Sequence, residues 1–147
     1  MDTIEQIVDI DTSDGAMAAV KHRPQTGGPA PAVIVIMEAF GLNPNIGSIA
    51  KRFAEQGYVA IAPDLFHRGG RMKYAPYDQL MKYREELRKG FSDTTIVSDV
   101  AATVSYLEVD SDVSGPVGIV GFCLGGRVAY MSAAMVEGIS AAASFYP

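Results

Sequence analysis

The chain has 147 residues and a mass of 15.6 kDa, with 48% hydrophobic and 20% charged residues. That length suits a single domain over residues 1–147 and buries about 68–70% of the unfolded surface, and the apolar share excludes a disordered tail. Twelve basic against seventeen acidic residues, a net charge of −5, argue against a nucleic-acid partner, and one cysteine excludes an internal disulfide framework.

Met1 to Asp11 has neither the basic start nor the apolar run of a signal peptide. Ile4 to Ile10 mixes apolar and polar positions like a half-buried strand. Ser13-Asp14-Gly15 is a turn signal, so Ala16 to Lys21 returns as the second strand of a hairpin. Pro24 to Pro31 reads as a loop. Ala32 to Met37 is β-branched without alternation, the pattern of a central parallel strand buried on both faces. Gly41 to Asn45 breaks it. Ile46, Ile49, Ala50, Phe53 and Ala54 then trace the apolar stripe of a helix, with Gly57 as its stop. Tyr58 to Ala62 is a second buried strand, ended by Pro63. Residues 64–76 form a long loop of functional character, in which His67 reads as a surface residue.

From Tyr77 to Phe91 charges dominate, with Leu80, Met81, Arg84, Leu87 and Phe91 near helical spacing. Ser92 caps a further helix through Leu107, whose apolar positions are Ile96, Val100, Val104 and Leu107. Ser114-Gly115-Pro116 is a break. Val117 to Phe122 is a third buried strand, Leu124 to Val136 a helix, and Ala141 to Tyr146 a fourth buried strand. A hairpin followed by β-α-β-α-β-α-β implies an α/β fold, a mostly parallel sheet with helices on both faces. An apolar strand at Pro147 would ordinarily be covered by another element, so the C-terminal part of the fold is expected to be missing. No apolar run approaches the ~20 residues of a membrane span, and a lone cysteine without an export signal suits the cytoplasm.

The chemistry concentrates at Gly121-Phe122-Cys123-Leu124-Gly125-Gly126, between a strand and a helix. It fits G-x-nucleophile-x-G with cysteine as the nucleophile. The turn is sharp, so the residues at −2 and +2 must be small, and Gly121 and Gly125 are. Cys123 then sits at a helix N-terminus, where the dipole favours the reactive thiolate. The Leu124 N–H would face an oxyanion. The plainer alternative is a small buried thiol that only fills space. Other glycine motifs fail: a dinucleotide fingerprint needs glycine at 123, a phosphate loop needs Gly-Lys, and one cysteine with two distant histidines makes no zinc site.

Met37-Glu38-Ala39-Phe40-Gly41 ends the first buried strand. Ligands in open α/β sheets bind beyond the carboxyl ends of strands, so Glu38 shares a rim with Cys123. Its carboxylate could accept the thiol proton, and the Ala39 N–H is a natural second oxyanion donor. The alternative for Glu38 is a solvated loop carboxylate.

Three blocks, Met37 to Asn43, Gly57 to Phe66 and Gly118 to Gly126, resemble the dienelactone hydrolase family of α/β-hydrolases. The resemblance covers nearly the whole chain. It implies Cys123 as nucleophile, Glu38 as the carboxylate that helps deprotonate it, Ala39 and Leu124 as oxyanion-hole amides, and Phe40 near the substrate. It implies hydrolysis of a small-molecule ester or lactone, with no metal or organic cofactor. The family completes its triad with an Asp and a His after the nucleophile, and no Asp or His follows Cys123 here. The 147 residues alone are therefore expected not to turn over. Family members that bind the dienelactone carboxylate use an arginine and a tyrosine near Tyr83 and Arg84; the other reading of Arg84, Arg88 and Lys89 is a solvated helix face paired with Glu85 and Glu86. Two further readings stand beside the hydrolase: a DJ-1/glutamine-amidotransferase-like cysteine protein, and a non-catalytic, thiol-sensing α/β domain.

Overall fold

The computed structural model describes residues 1–147. β1 (Thr3–Thr12) and β2 (Gly15–Pro24) form the expected hairpin, turning at Gly15 with a φ of 111°. Then follow β3 (Ala30–Ile36), α1 (Pro44–Glu55), β4 (Val59–Pro63), α2 (Leu80–Leu87), α3 (Asp93–Val109), β5 (Val113–Phe122), α4 (Leu124–Met135) and β6 (Ile139–Phe145). The six strands make one sheet in the order β1-β2-β4-β3-β5-β6. β1, β2 and β4 pair antiparallel, whereas β4, β3, β5 and β6 pair parallel.

The β3-α1-β4 crossover steps toward the hairpin; the crossovers through α3 and α4 step the other way. Right-handed connections therefore place α1 on one face of the sheet and α3 with α4 on the other. α1 buries Ile46, Ala50 and Ala54, and Asn43 caps it by accepting the Ile46 N–H at 3.2 Å. α3 opens with a capping box between Ser92 and Thr95, and buries Ile96, Val100, Val104 and Leu107, as their spacing predicts. Between these layers, β4 is wholly buried and β3 buried over most of its length, and together they form the centre of the core. No helix is long and apolar enough to cross a membrane.

Three expectations need correction. Ser114-Gly115-Pro116 does not break the chain but lies inside β5. The register shifts there, with Ala30 opposite Val113 and Ala32 opposite Val117, so the extra residues are taken up as a bulge around Gly115. β3 correspondingly starts at Ala30, inside the expected loop. β6 is a strand but not a buried one: from Ser140 to Phe145 it is exposed. It pairs only with β5, and α4 covers one face. On the other, Ile49, Phe53, Val120, Phe122 and Phe145 line an open apolar groove of about 540 Å³.

Composition also hides a buried cation. Lys21 is only 3% exposed, yet its ammonium donates to Asp110 and, at 2.7 Å, to Asp112. Burial pulls its pKa down, but the two carboxylates outweigh it and hold the ammonium above its ordinary value. The pair ties β2 to the start of β5. Removing one partner strands the other, which costs about 3–5 kcal/mol. Lys21→Met is expected to lose that much in urea unfolding, whereas Lys21→Arg loses less.

Candidate active site

β5 ends at Phe122 and α4 starts at Leu124, so a single residue makes the turn. That residue is Cys123, with φ 54° and ψ −120°. Left-handed backbone costs a side-chain-bearing residue of order 1–3 kcal/mol and persists only where the surroundings impose it. They do so here. The Cys123 N–H donates to the Phe145 carbonyl at 3.0 Å, and its carbonyl accepts the Arg127 N–H at 3.1 Å. The thiol is free and exposed.

The glycines explain how so tight a turn fits. A Cβ on Gly121 would lie 1.9 Å from the Gly125 carbonyl oxygen. One on Gly125 would meet the Met37 and Ile36 carbonyls at 2.5 and 2.6 Å. The −2 and +2 positions thus admit no side chain. Gly126, to which spacing assigned no role, is equally constrained: its Cβ would reach the Phe145 carbonyl at 2.4 Å. Leu124 is the first residue of α4, where the N–H has no intrahelical acceptor.

Glu38 reaches the same rim through the register. Ile36 of β3 sits opposite Gly121 of β5, so Glu38 and Cys123 each lie two residues beyond a matched pair on adjacent strands. The Gly125 clash with Met37 shows how closely α4 begins against this backbone. Glu38, Ala39 and Phe40 are half-buried. The Glu38 carbonyl accepts the Gly41 N–H at 3.2 Å, turning the chain, and Phe40 meets Tyr77 edge-on at 4.8 Å.

The loop over residues 64–76 clamps this turn. Gly41 bridges Tyr74, and the Ala75 N–H donates to the Phe40 carbonyl at 2.9 Å. The loop is itself pinned by two buried carboxylates. Asp64 accepts the Phe66 N–H at 3.2 Å and the Met72 N–H at 2.6 Å; burial pushes its pKa up despite these bonds. Asp99, on α3, is fully buried and accepts Arg68 through both oxygens at 2.7 and 2.9 Å. His67 Nε2 lies 3.2 Å from the same carboxylate. His67 is therefore not a surface residue: its side chain is 5% exposed. Position 99 lies on the buried stripe of α3, between Ile96 and Val100, so its burial follows from helical spacing; its partners, 31 and 32 residues earlier in the chain, do not.

Burial acts to raise the Asp99 pKa, but hydrogen bonds from His67 and Arg68 outweigh it and hold it below the ordinary value. A depressed carboxylate stabilises the fold fully above its unfolded pKa of about 3.9, and that stability is lost as pH falls through the folded value. Asp99→Asn is expected to lower stability at pH 7 by about 3 kcal/mol, because Arg68 and His67 lose their buried partner. Urea midpoints at pH 7 and pH 3 check the sign: the variant's deficit shrinks at the lower pH.

Arg84 is exposed in a shallow groove with Met81, Glu85 and Arg88, while Tyr83 packs half-buried on the core beneath Lys82. Arg88 instead lines a groove of about 360 Å³ with Phe91, Asp93, Leu124 and Arg127. Its Nε is buried without a partner, and its guanidinium lies 5.7 Å from the Phe91 ring centre. Burial, then repulsion from Arg84 and Arg127, lowers its pKa. The evenly paired helix face is also corrected, since Glu86 reaches across to Lys73.

A mixed sheet in this order, with crossover helices on both faces and a strained residue between strand and helix, is the α/β-hydrolase fold. The chain belongs to the dienelactone hydrolase family, whose sequence pattern matches residues 17–147. It is 35% identical over 144 residues to a Synechocystis protein named "Putative carboxymethylenebutenolidase", covering 95% of this chain and 57% of that one. It is 32% identical over 127 residues to the carboxymethylenebutenolidase of Pseudomonas sp. strain P51, covering 85% and 53%. A solved Klebsiella pneumoniae structure described as a "Putative Dienelactone Hydrolase" superposes with a TM-score of 0.86 at 32% identity, over 99% of this chain and 60% of that one. The chain thus spans roughly half to three-fifths of its relatives' length.

Proposed function

We propose that this chain carries the nucleophilic half of a hydrolase acting on small-molecule carboxylic esters or lactones. Cys123 is the nucleophile, on the turn between β5 and α4. Glu38 accepts the thiol proton as substrate arrives, and the thiolate sulfur then attacks the carbonyl carbon. The Leu124 and Ala39 N–H groups hold the resulting oxyanion. Collapse of the tetrahedral intermediate breaks the C–O bond, expels an alkoxide or enolate that takes up a proton, and leaves a thioester on Cys123. Enolates are good leaving groups, which suits a thiolate nucleophile. The observation that supports this reading is the left-handed backbone of Cys123 enclosed by three glycines that tolerate no side chain. Such strain is ordinarily held at functional sites.

Hydrolysis of the thioester needs a base to activate water. No Asp or His follows Cys123 among these residues. Residues 1–147 alone are thus expected to acylate once without turning over. The test is p-nitrophenyl acetate. The expected trace is a p-nitrophenol burst close to one equivalent of chain, followed by a flat line. Oxidation of Cys123 by peroxide without any burst would favour the thiol-sensing domain instead. The reading includes a cytoplasmic setting, where an exposed thiol stays reduced.

A further inference from the structure

We infer that a groove beside His22, between the hairpin and α1, is a second small-molecule site that takes a carboxylate with a compact apolar body. The groove encloses about 410 Å³, within the range of small-ligand sites. Its floor is His22, whose side chain is 3% exposed. Neither ring nitrogen makes a hydrogen bond, although buried polar groups are nearly always satisfied. Glu5, opposite on β1, brings a carboxylate oxygen to 3.2 Å of Nε2 but off hydrogen-bonding geometry, and its own side chain is 64% exposed.

The walls show what would satisfy the imidazole. Lys51 and Ser48 of α1 supply an ammonium and a hydroxyl on one side. Ile7, Leu42, Met72 and Tyr74 supply apolar surface, and Ile7 and Tyr74 are 57% and 47% exposed. The charged groups that act on His22 are Glu5 from β1 and Lys51 and Glu55 from α1; its β4 neighbour is Ala60. Burial lowers its pKa, and Lys51 lowers it further while Glu5 and Glu55 oppose. A carboxylate that takes the place of Glu5 beside Nε2 accepts from both His22 and Lys51 and offsets that repulsion. A flat apolar body then rests on Ile7 and Tyr74. The site is independent of Cys123, although Leu42 and Asn43 in its wall continue the turn that carries Glu38.

With only two histidines in the chain, imidazole NMR resolves the question. The probe is benzoate, with benzamide as its uncharged match and His67, locked on Asp99, as internal reference. The expected result is a saturable shift of the His22 resonances and a raised His22 pKa, with His67 unmoved. Lys51→Gln should weaken benzoate about tenfold. Glu5→Gln, which removes the competing carboxylate, should tighten it severalfold. Cys123→Ser should leave it unchanged. The inference is overturned by any of three results: no saturable shift into the millimolar range, equal binding of benzamide, or loss of the shift in Cys123→Ser. The last would put the probe at the candidate active site. Absence of an acetyl burst would defeat the hydrolase reading and leave this one standing.

Discussion

Cys123→Ala is expected to bring the p-nitrophenol burst down to background while leaving the fold intact. The substitution removes one exposed sulfur from a backbone whose conformation is set by its neighbours. The hydrogen bonds from Cys123 N–H to Phe145 and from Arg127 N–H to Cys123 do not involve the side chain. Thermal unfolding should therefore move little. Glu38→Gln tests the next step. If the carboxylate draws the proton from the thiol, its loss should slow the burst by about 10²-fold, the low end of general-base effects. Amplitude should survive, because the nucleophile remains. Raising the pH should restore part of the rate in Glu38→Gln, since hydroxide then produces the thiolate. An unchanged rate would reduce Glu38 to a solvated loop carboxylate.

Gly121→Ala is expected to have the largest effect on stability. The new methyl would lie 1.9 Å from a backbone carbonyl, on a rigid turn rather than at a flexible chain end. Overpacking typically costs about 1–3 kcal/mol and more where the neighbour cannot yield. The upper value is expected here, which lowers the melting temperature by about 10 °C in a chain of this size. Gly125→Ala should behave alike, pushing α4 away from the Met37 carbonyl and with it the Leu124 N–H. By contrast, Gly28→Ala should be nearly silent, because its Cβ meets nothing within 4 Å. Melting curves of the three variants check the contrast. A silent Gly121→Ala would mean that the turn relaxes readily.

The strand and helix order was legible because each element carries its own period. The unbroken apolar runs of β3 and β4 mark buried parallel strands, and the Ile46 to Ala54 stripe marks α1. Both halves of the rim, Glu38 and Cys123, could be placed from sequence, since strand ends in such sheets face one side. Three features were not legible. Gly115-Pro116 punctuates a strand as a bulge, and local chemistry alone reads it as a break. The buried charges Lys21 and Asp99 depend on partners 31 to 91 residues away, so no window along the chain reveals them. Arg88 looks like its neighbours Arg84 and Lys89 in sequence. Only packing against Phe91 and Leu124 separates it from them. The sequence carries one signal of it: Arg88 follows the buried Leu87 and lies three residues before Phe91.

The most direct measurement is peptide-resolved mass spectrometry after brief acid quench of the chain with p-nitrophenyl acetate. One acetyl group is expected, carried by the peptide containing Cys123 and released by hydroxylamine as a thioester is. An acetyl group found only on lysines, or none at all under conditions where the thiol still reacts with iodoacetamide, would contradict it.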